Sequence, residues 1–153
     1  MRLPILKHPD KRLYTVAKPV EEYEFDSDMA LYLTMQNMFE TMYANDGIGL
    51  AGTQVDIHKQ IIVMNVNRPL CIINPIILSS EGSITFREGC LSFPKLFIEK
   101  VRAHIIDVSY RDVYGNSLQK RFSGEEAVCI QHECEHLRGE TFAQKPKKLT
   151  KSA

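Results

Sequence analysis

The chain has 153 residues, of which 44% are hydrophobic, with 19 basic and 19 acidic side chains; this length suits one domain with a buried core. Because the charges balance, the totals do not indicate a protein that binds nucleic acid or a charged membrane surface. The N-terminus MRLPILKHPD has no apolar signal-peptide core and no apolar run reaches the ~18 residues of a membrane span, so a cytoplasmic protein is expected.

The first third of the chain predicts an extended arm followed by an amphipathic helix. Three prolines within residues 1–25 exclude a long helix there. In residues 27–44 apolar side chains recur at the 3.6-residue spacing of a helix, with Asp26 or Ser27 as the N-cap. The methionine-rich stripe of this helix is expected to pack in the core.

A glycine-rich segment and several β-forming runs follow. Residues 45–54 contain three glycines without the spacing of a dinucleotide or phosphate loop, so the segment is either a connector or a place where backbone approaches a ligand. The predicted strands are residues 60–66, residues 70–78 with Pro75 at an edge or bulge, residues 82–87, and a long hairpin of residues 98–110 and 117–122.

Residues 88–94 (EGCLSFP) form a second unusual segment. Cys90 lies between a glycine and a segment that precedes proline, so its thiol and a neighbouring backbone N–H can face a cleft from an extended chain. The four cysteines have irregular spacings, which is not typical of a disulfide framework. In a reducing compartment each is a buried apolar thiol, a ligand or a nucleophile.

Residues 124–142 are predicted to form a single helix that carries the clearest chemical motif, with a cationic last turn and a glycine stop at Arg138-Gly139. His132, Glu133 and His136 form H-E-x-x-H, and residues four apart lie one above the other on a helix, so both imidazoles can bind one ion. Glu133 lies beside that face, where a carboxylate can act as a general base on a water without being a ligand. The alternative is a surface helix with two solvated histidines.

The same helix geometry sorts the neighbouring side chains. Val128 and Cys129 precede His132 by four and three residues and should line a pocket next to the ion, whereas other apolar side chains of the helix face the core. Two imidazoles do not complete a catalytic metal site, because a third ligand and an open position are also needed.

These elements predict an α+β fold: a single compact domain in which a central metal-binding helix is surrounded by antiparallel or mixed β-sheets. Residues 1–142 form this domain, and residues 143–153 form a short basic tail that is expected to be frayed. His8, His58 and His104 are interpreted as loop or structural histidines.

Three segments together resemble the peptide deformylase family. The family motifs GxGxAAxQ, EGCxS and QHExxH correspond here to residues 47–54 (GIGLAGTQ), 88–92 (EGCLS) and 131–136 (QHECEH). The similarity extends from about residue 4 to Phe142 and is of the bacterial type with a short C-terminal tail. It implies a hydrolase that removes the formyl group from the N-terminal formyl-methionine of newly made peptides.

The resemblance also implies a metal site. It adds Cys90 as the third ligand beside His132 and His136, with water in the fourth position. A thiolate and two imidazoles suit one divalent ion. The family characteristically uses Fe²⁺, and Zn²⁺, Ni²⁺ or Co²⁺ can replace it.

Further roles follow from the same resemblance. Glu133 takes a proton from the metal-bound water, the hydroxide attacks the formyl carbon, and the side-chain amide of Gln54 and the backbone N–H of Leu91 stabilise the oxyanion. The remaining assignments are peptide binding along the loop and pocket wall (Ile48, Gly49, Val128, Cys129) and a structural pair that supports the ligand segment (Glu88, Arg102).

The chain departs from the family pattern in three places. Gly52 replaces the second Ala of the first motif, Glu135 stands where Asp is common, and the sequence continues only about eleven residues beyond Phe142, which could alter a ribosome contact. A monomer is expected. The alternatives are an H-E-x-x-H metallopeptidase, for which only Glu140 is available as a downstream ligand, and a catalytically inactive peptide-binding relative.

Overall fold

The computed structural model describes residues 1–26 and 29–143, which form three α-helices and seven strands. The helices are α1 (Glu22–Phe25), α2 (Ala30–Ala44) and α3 (Gly124–Leu137). The strands are β1 (Gly49–Ala51), β2 (Ile61–Asn65), β3 (Pro69–Glu81), β4 (Ile84–Cys90), β5 (Phe93–Arg102), β6 (Ile105–Arg111) and β7 (Ser117–Ser123). The predicted α+β class is confirmed.

The strands form two antiparallel sheets, one of five strands in the order β1-β2-β3-β6-β7 and one of two strands, β4 and β5. Strand β2 shows why its sequence is apolar throughout. Its side chains alternate between the two faces, so Ile62 and Met64 join the core cluster that contains α3, while Ile61 and Val63 join the cluster that contains α2. The five-stranded sheet is therefore covered by a helix on each face.

The methionine-rich stripe of α2 lies in the core, as predicted, with Met38 and Met42 fully buried. The predicted N-cap is wrong, because α2 begins at Ala30 after Met29, whose φ is 62°. Asp26 is instead the C-cap of α1. The other candidate cap, Ser27, lies outside the described residues.

Two strand predictions need correction or refinement. The run 98–110 is not one strand, because β5 ends at Arg102, which forms a buried ion pair, and β6 then enters the other sheet. The hairpin of β6 and β7 is present. Pro75 marks a bulge, since the register of β3 against β6 shifts between Ile73 and Ile76 and β3 lies in the middle of its sheet.

Helix α3 ends at Leu137, so the predicted stop at Arg138-Gly139 is confirmed, whereas the prediction of a single helix as far as residue 142 is wrong. Gly139 has a φ of 76°, and a Cβ there would lie 2.8 Å from the carbonyl oxygen of Tyr14, so only glycine fits this reversal. The chain then folds back until the Phe142 ring centroid lies 5.2 Å from that of His132.

The predicted tail of residues 143–153 lies outside the described residues except for Ala143. Within the described ranges, no helix combines the length and apolarity needed to cross a membrane.

Candidate metal centre and active-site cleft

A cleft of about 530 Å³ lies between β1, the hairpin of β4 and β5, and α3. Each of these elements contributes predicted site residues to its walls. The wall residues include Ile48 and Gly49 at β1, Cys90 and Leu91 at the hairpin, and Val128 and Glu133 on α3. The cleft therefore brings together segments that are distant in sequence.

The structure groups the side chains of Cys90, His132 and His136, of which Cys90 and His132 line this cleft. The ligand atoms they offer all lie within 4.8 Å of one another, and the Cys90 Sγ lies 3.3 Å from His136 Nε2. The two histidines are on successive turns of α3, while the thiol comes from the end of β4. In the part of the chain that the structure describes, Glu140 does not belong to this group and contacts Arg138 instead.

The chemistry of these donors fits one divalent transition-metal ion. A thiolate and two imidazoles suit borderline or soft ions, whereas Mg²⁺ and Ca²⁺ prefer oxygen ligands. Burial and the charge of His132 lower the pKa of His136 well below its ordinary value, so this imidazole is neutral, as a ligand must be. Its Nδ1 atom is buried without a hydrogen-bond partner among the described residues.

The ring of His132 is oriented by a buried carboxylate. Its Nδ1 lies 2.9 Å from Glu88 Oε1, which leaves Nε2 as the atom that can bind an ion. Arg102 donates to both oxygens of Glu88, at 2.7 and 2.8 Å. Burial alone would raise the pKa of Glu88, but the hydrogen bonds of Arg102 and His132 lower it to about 2. Glu88 is therefore a fixed anion behind His132.

Burial also opposes charge on His132, yet its pKa is raised to about 10 by contact with Cys90 and by the charges of Glu133 and Glu88. In the absence of an ion, this imidazole therefore carries a proton that compensates its acidic neighbours. Binding of a cation would displace that proton, so ion binding is coupled to proton release.

Glu133 is a buried carboxylate at the wall of the cleft. Burial raises its pKa to about 7 against the opposing charge of His132, and its Oε1 has no hydrogen-bond partner among the described residues. A Cβ on Gly49 would lie 2.6 Å from both Glu133 Oε2 and Cys129 Sγ, so the glycine leaves room for them. A carboxylate with a pKa near neutrality can both accept and return a proton.

The side chain of Gln54 is buried with both ends of its amide in contact. Its Oε1 accepts from the backbone N–H of Ala51 at 2.9 Å, and its Nε2 donates to Ser92 Oγ at 3.1 Å and lies 3.6 Å from Cys90 Sγ. These contacts fix the NH₂ group beside the thiol. Leu91 follows Cys90 at the turn between β4 and β5.

The departure at Gly52 has a local explanation. Gly52 is buried, and a Cβ there would lie 2.5 Å from the carbonyl oxygen of Ile57 and 2.9 Å from that of Lys59. The glycine thus allows backbone to pack against backbone in the short 3₁₀ helix that carries Gln54.

The predicted peptide-binding residues lie along the cleft. Gly49 begins β1, the edge strand of the large sheet, and Ile48 before it is 46% exposed. Val128 and Cys129 form part of the wall contributed by α3. The segment is thus a short strand and a 3₁₀ helix, whereas the sequence predicted only a loop.

Several residues around the site were not assigned from the sequence. Ser92 orients Gln54, Glu135 contacts Arg102, and Gln131 contacts the backbone of Ala103. Ser92 lies within the EGCLS segment, which could have suggested it. The partners of Glu135 and Gln131 depend on how α3 meets β5, and this has no local sequence signal.

Known proteins match most of this chain in sequence and in fold. The family description "Polypeptide deformylase" matches residues 2–152. Peptide deformylase 1 of Shewanella oneidensis is 44% identical over 144 residues, which are 92% of this chain and 83% of that protein.

Two solved structures show the same fold. The peptide deformylase of Ehrlichia chaffeensis has a TM-score of 0.89 and 38% identity, covering 99% of this chain and 92% of that one. A class I type b peptide deformylase of Acinetobacter baumannii with Met-Ala-Ser bound has a TM-score of 0.88 and 31% identity, covering 93% and 96%. On the family match over nearly the whole length and these relatives, the chain belongs to the peptide deformylase family.

Proposed function

We propose that the residues of this cleft share the work of hydrolysing a formyl amide. The chain is a peptide deformylase, which removes the formyl group from the N-terminus of newly made peptides. The observation that carries the assignment of roles is the grouping of Cys90, His132 and His136 next to the buried Glu133.

The two imidazoles and the thiol are the groups that would hold the cation. Fe²⁺ is the proposed native ion, and Zn²⁺, Ni²⁺ or Co²⁺ can substitute because the donor set does not discriminate strongly among them. When bound, such an ion supplies Lewis acidity that polarises the formyl oxygen and lowers the pKa of water in the cleft.

Glu133 moves the proton. It accepts a proton from the attacking water as the water oxygen bonds to the formyl carbon, and its pKa near 7 suits this task. It then gives the proton to the departing nitrogen as the carbon–nitrogen bond breaks. The products are formate and a peptide with a free amino terminus.

Two donors stabilise the negative charge that develops on the formyl oxygen. The NH₂ group of Gln54 is preorganised by its contacts with Ala51 and Ser92. The backbone N–H of Leu91, next to the thiol, is the second proposed donor. Because the amide of Gln54 is already oriented, it needs little reorganisation during the reaction.

The peptide lies along the free edge of β1. Gly49 and Ile48 present backbone to an extended chain, as in strand addition to a sheet edge. Val128 and Cys129 contact the methionine side chain. The relative from Acinetobacter baumannii, crystallised with Met-Ala-Ser, supports a short methionine peptide as ligand. We place the enzyme in the cytoplasm, because its substrates are nascent chains. We also propose that it acts as a monomer and that it contacts the ribosome.

The direct test is formate release from formyl-Met-Ala-Ser. The protein is prepared without air and loaded separately with Fe²⁺, Ni²⁺, Co²⁺ or Zn²⁺, with metal content measured for each sample. We expect turnover that depends on the ion and stops when a chelator removes it. Protein that holds one ion per chain but releases no formate would contradict the proposed function.

A further inference from the structure

Helix α3 carries two adjacent stripes of functional side chains. His132 lines the cleft, and His136, four residues later, lies with it in the candidate ligand group. Gln131 and Glu135 precede them by one residue each and are also four apart, so they form a neighbouring stripe. This second stripe faces the end of β5, where Arg102 and Ala103 lie.

Gln131 holds the backbone at the exit of β5. Its Oε1 accepts from the N–H of Ala103 at 3.0 Å, and its Nε2 donates to the Ala103 carbonyl at 2.9 Å. The side-chain amide thus pairs with both backbone groups of one residue, which is next to Arg102. The direction in which β5 leaves the hairpin is therefore tied to α3.

Glu135 holds the side chain of Arg102. Its two oxygens lie 3.0 Å from Nη2 and 2.9 Å from Nη1 of the guanidinium, whose other side is bound by Glu88. The Arg102 and Glu88 side chains are 7% and 4% exposed, and that of Glu135 is 16% exposed. One buried guanidinium is thus fixed between two carboxylates from different elements.

Glu88 connects this arrangement to the ion site. Its Oε1 accepts from Arg102 Nη2 at 2.8 Å and lies 2.9 Å from His132 Nδ1. Any movement of the guanidinium therefore moves the oxygen that orients the imidazole. Without Glu135, the charge of Arg102 is balanced by Glu88 alone, and the side of the guanidinium that faces α3 loses its partner.

We infer that Gln131 and Glu135 form a clasp that positions Arg102 and, through Glu88, sets the orientation of the His132 ring toward the cation. The inference rests on the proposed function, because it assumes that His132 binds an ion. Neither residue touches the reacting atoms; both are positioning residues.

The experiment measures retention and spectrum of a bound ion. Wild-type protein and Glu135→Gln are loaded with Co²⁺ without air, and the visible spectrum and the rate of Co²⁺ transfer to a chelator are recorded. Loss of a partner of this kind weakens metal binding about 10-fold to 100-fold, so we expect release at least about tenfold faster and an altered Co²⁺ spectrum. Glu135→Asp keeps the charge and should remain within about threefold of the wild type.

A matched control separates positioning from general charge effects. Glu126→Gln makes the same change on the same helix, at a residue 3.7 Å from Arg68 and without contact to Glu88 or Arg102, and should release Co²⁺ at the wild-type rate. Gln131→Met tests the other half of the clasp. The Co²⁺ release rate and spectrum of this variant decide the question if Glu135→Gln does not fold.

Wild-type release rates and spectra in a folded Glu135→Gln would overturn the inference, as would wild-type behaviour of Gln131→Met if that variant carries the test. Failure of the proposed function looks different, since the wild type would then bind Co²⁺ yet release no formate from formyl-Met-Ala-Ser.

Discussion

The two halves of the site differ in how firmly they are embedded. Helix α3 contributes His132, Glu133 and His136, and nine of its side chains are buried. The hairpin of β4 and β5 contributes Cys90, but its strands pair only with each other, and its outer face leaves Val101 69% exposed. The geometry of the ion site therefore depends on how a lightly supported hairpin is held against a rigid helix.

The hairpin is held at two places. On its inner face, Glu88 and Arg102 contact α3 through His132 and Glu135. At its turn, the Phe93 ring lies 5.5 Å from that of Phe142, which follows the end of α3. Polar contacts thus set the orientation of the ligands, while apolar contacts hold the hairpin in place.

Removing the contribution of the hairpin should have the largest effect. We expect Cys90→Ala to lose its ion on dialysis and to release formate about 10³-fold or more slowly, since a Lewis acid contributes several kcal/mol and each 1.36 kcal/mol is tenfold in rate. Metal content and formate release measured on the same sample check this. Retention of one ion per chain would refute Cys90 as a ligand.

The difference between the helix and the hairpin also explains which ligands can be predicted from the sequence. The spacing of His132 and His136 defines a shared helix face without reference to any other element, and the position of Glu133 beside it follows from the same geometry. Cys90 is 46 residues before His136, so its approach depends on the docking of the hairpin. Only the resemblance to a family identified it as a ligand.

Predictions failed where the structure depends on distant contacts. Residues 98–110 have uniform β propensity, and propensity does not indicate that the chain changes sheets after Arg102. Gly139 is a stop signal that the sequence does show, but its close approach to Tyr14, which requires a glycine there, depends on the fold. The contact between Glu135 and Arg102 likewise has no local signal.

On α3, removal of the proposed proton acceptor Glu133 should leave metal binding intact. We expect Glu133→Gln to retain stoichiometric metal and to lose about 10²-fold to 10⁴-fold in the rate of formate release, which is the range for a general acid–base group. Metal analysis and a formate assay at saturating peptide test both parts. An unchanged rate would remove Glu133 from the proton-transfer role.

The difference in embedding should also appear in the free energy of unfolding. Ile130 is fully buried on α3, so Ile130→Ala should cost about 2–5 kcal/mol. Val101→Ala, on the exposed face of the hairpin, should cost less than about 1 kcal/mol. Urea unfolding of both metal-free variants gives the comparison, and equal costs would show that the hairpin is as firmly packed as the helix.

The contacts that Glu88 makes with Arg102 and His132 should make the free energy of unfolding depend on pH. The pKa of Glu88 is about 2 in the fold, against an ordinary value of 4.5. The unfolded chain therefore binds more protons between these values, so the stabilisation by Glu88 is complete above pH 4.5 and is lost as the pH falls toward 2. The difference between these two pKa values corresponds to roughly 3 kcal/mol of unfolding free energy at most.

Glu88→Gln should lose this dependence, which urea unfolding of the metal-free protein at pH 5, 4 and 3 can measure. Glu99→Gln, at an exposed position on β5, should keep the wild-type slope. Since other carboxylates titrate in the same range, the informative quantity is the difference in slope between the two variants. Identical slopes would mean that the contacts of Glu88 with Arg102 and with His132 of α3 do not stabilise its charged form in the fold.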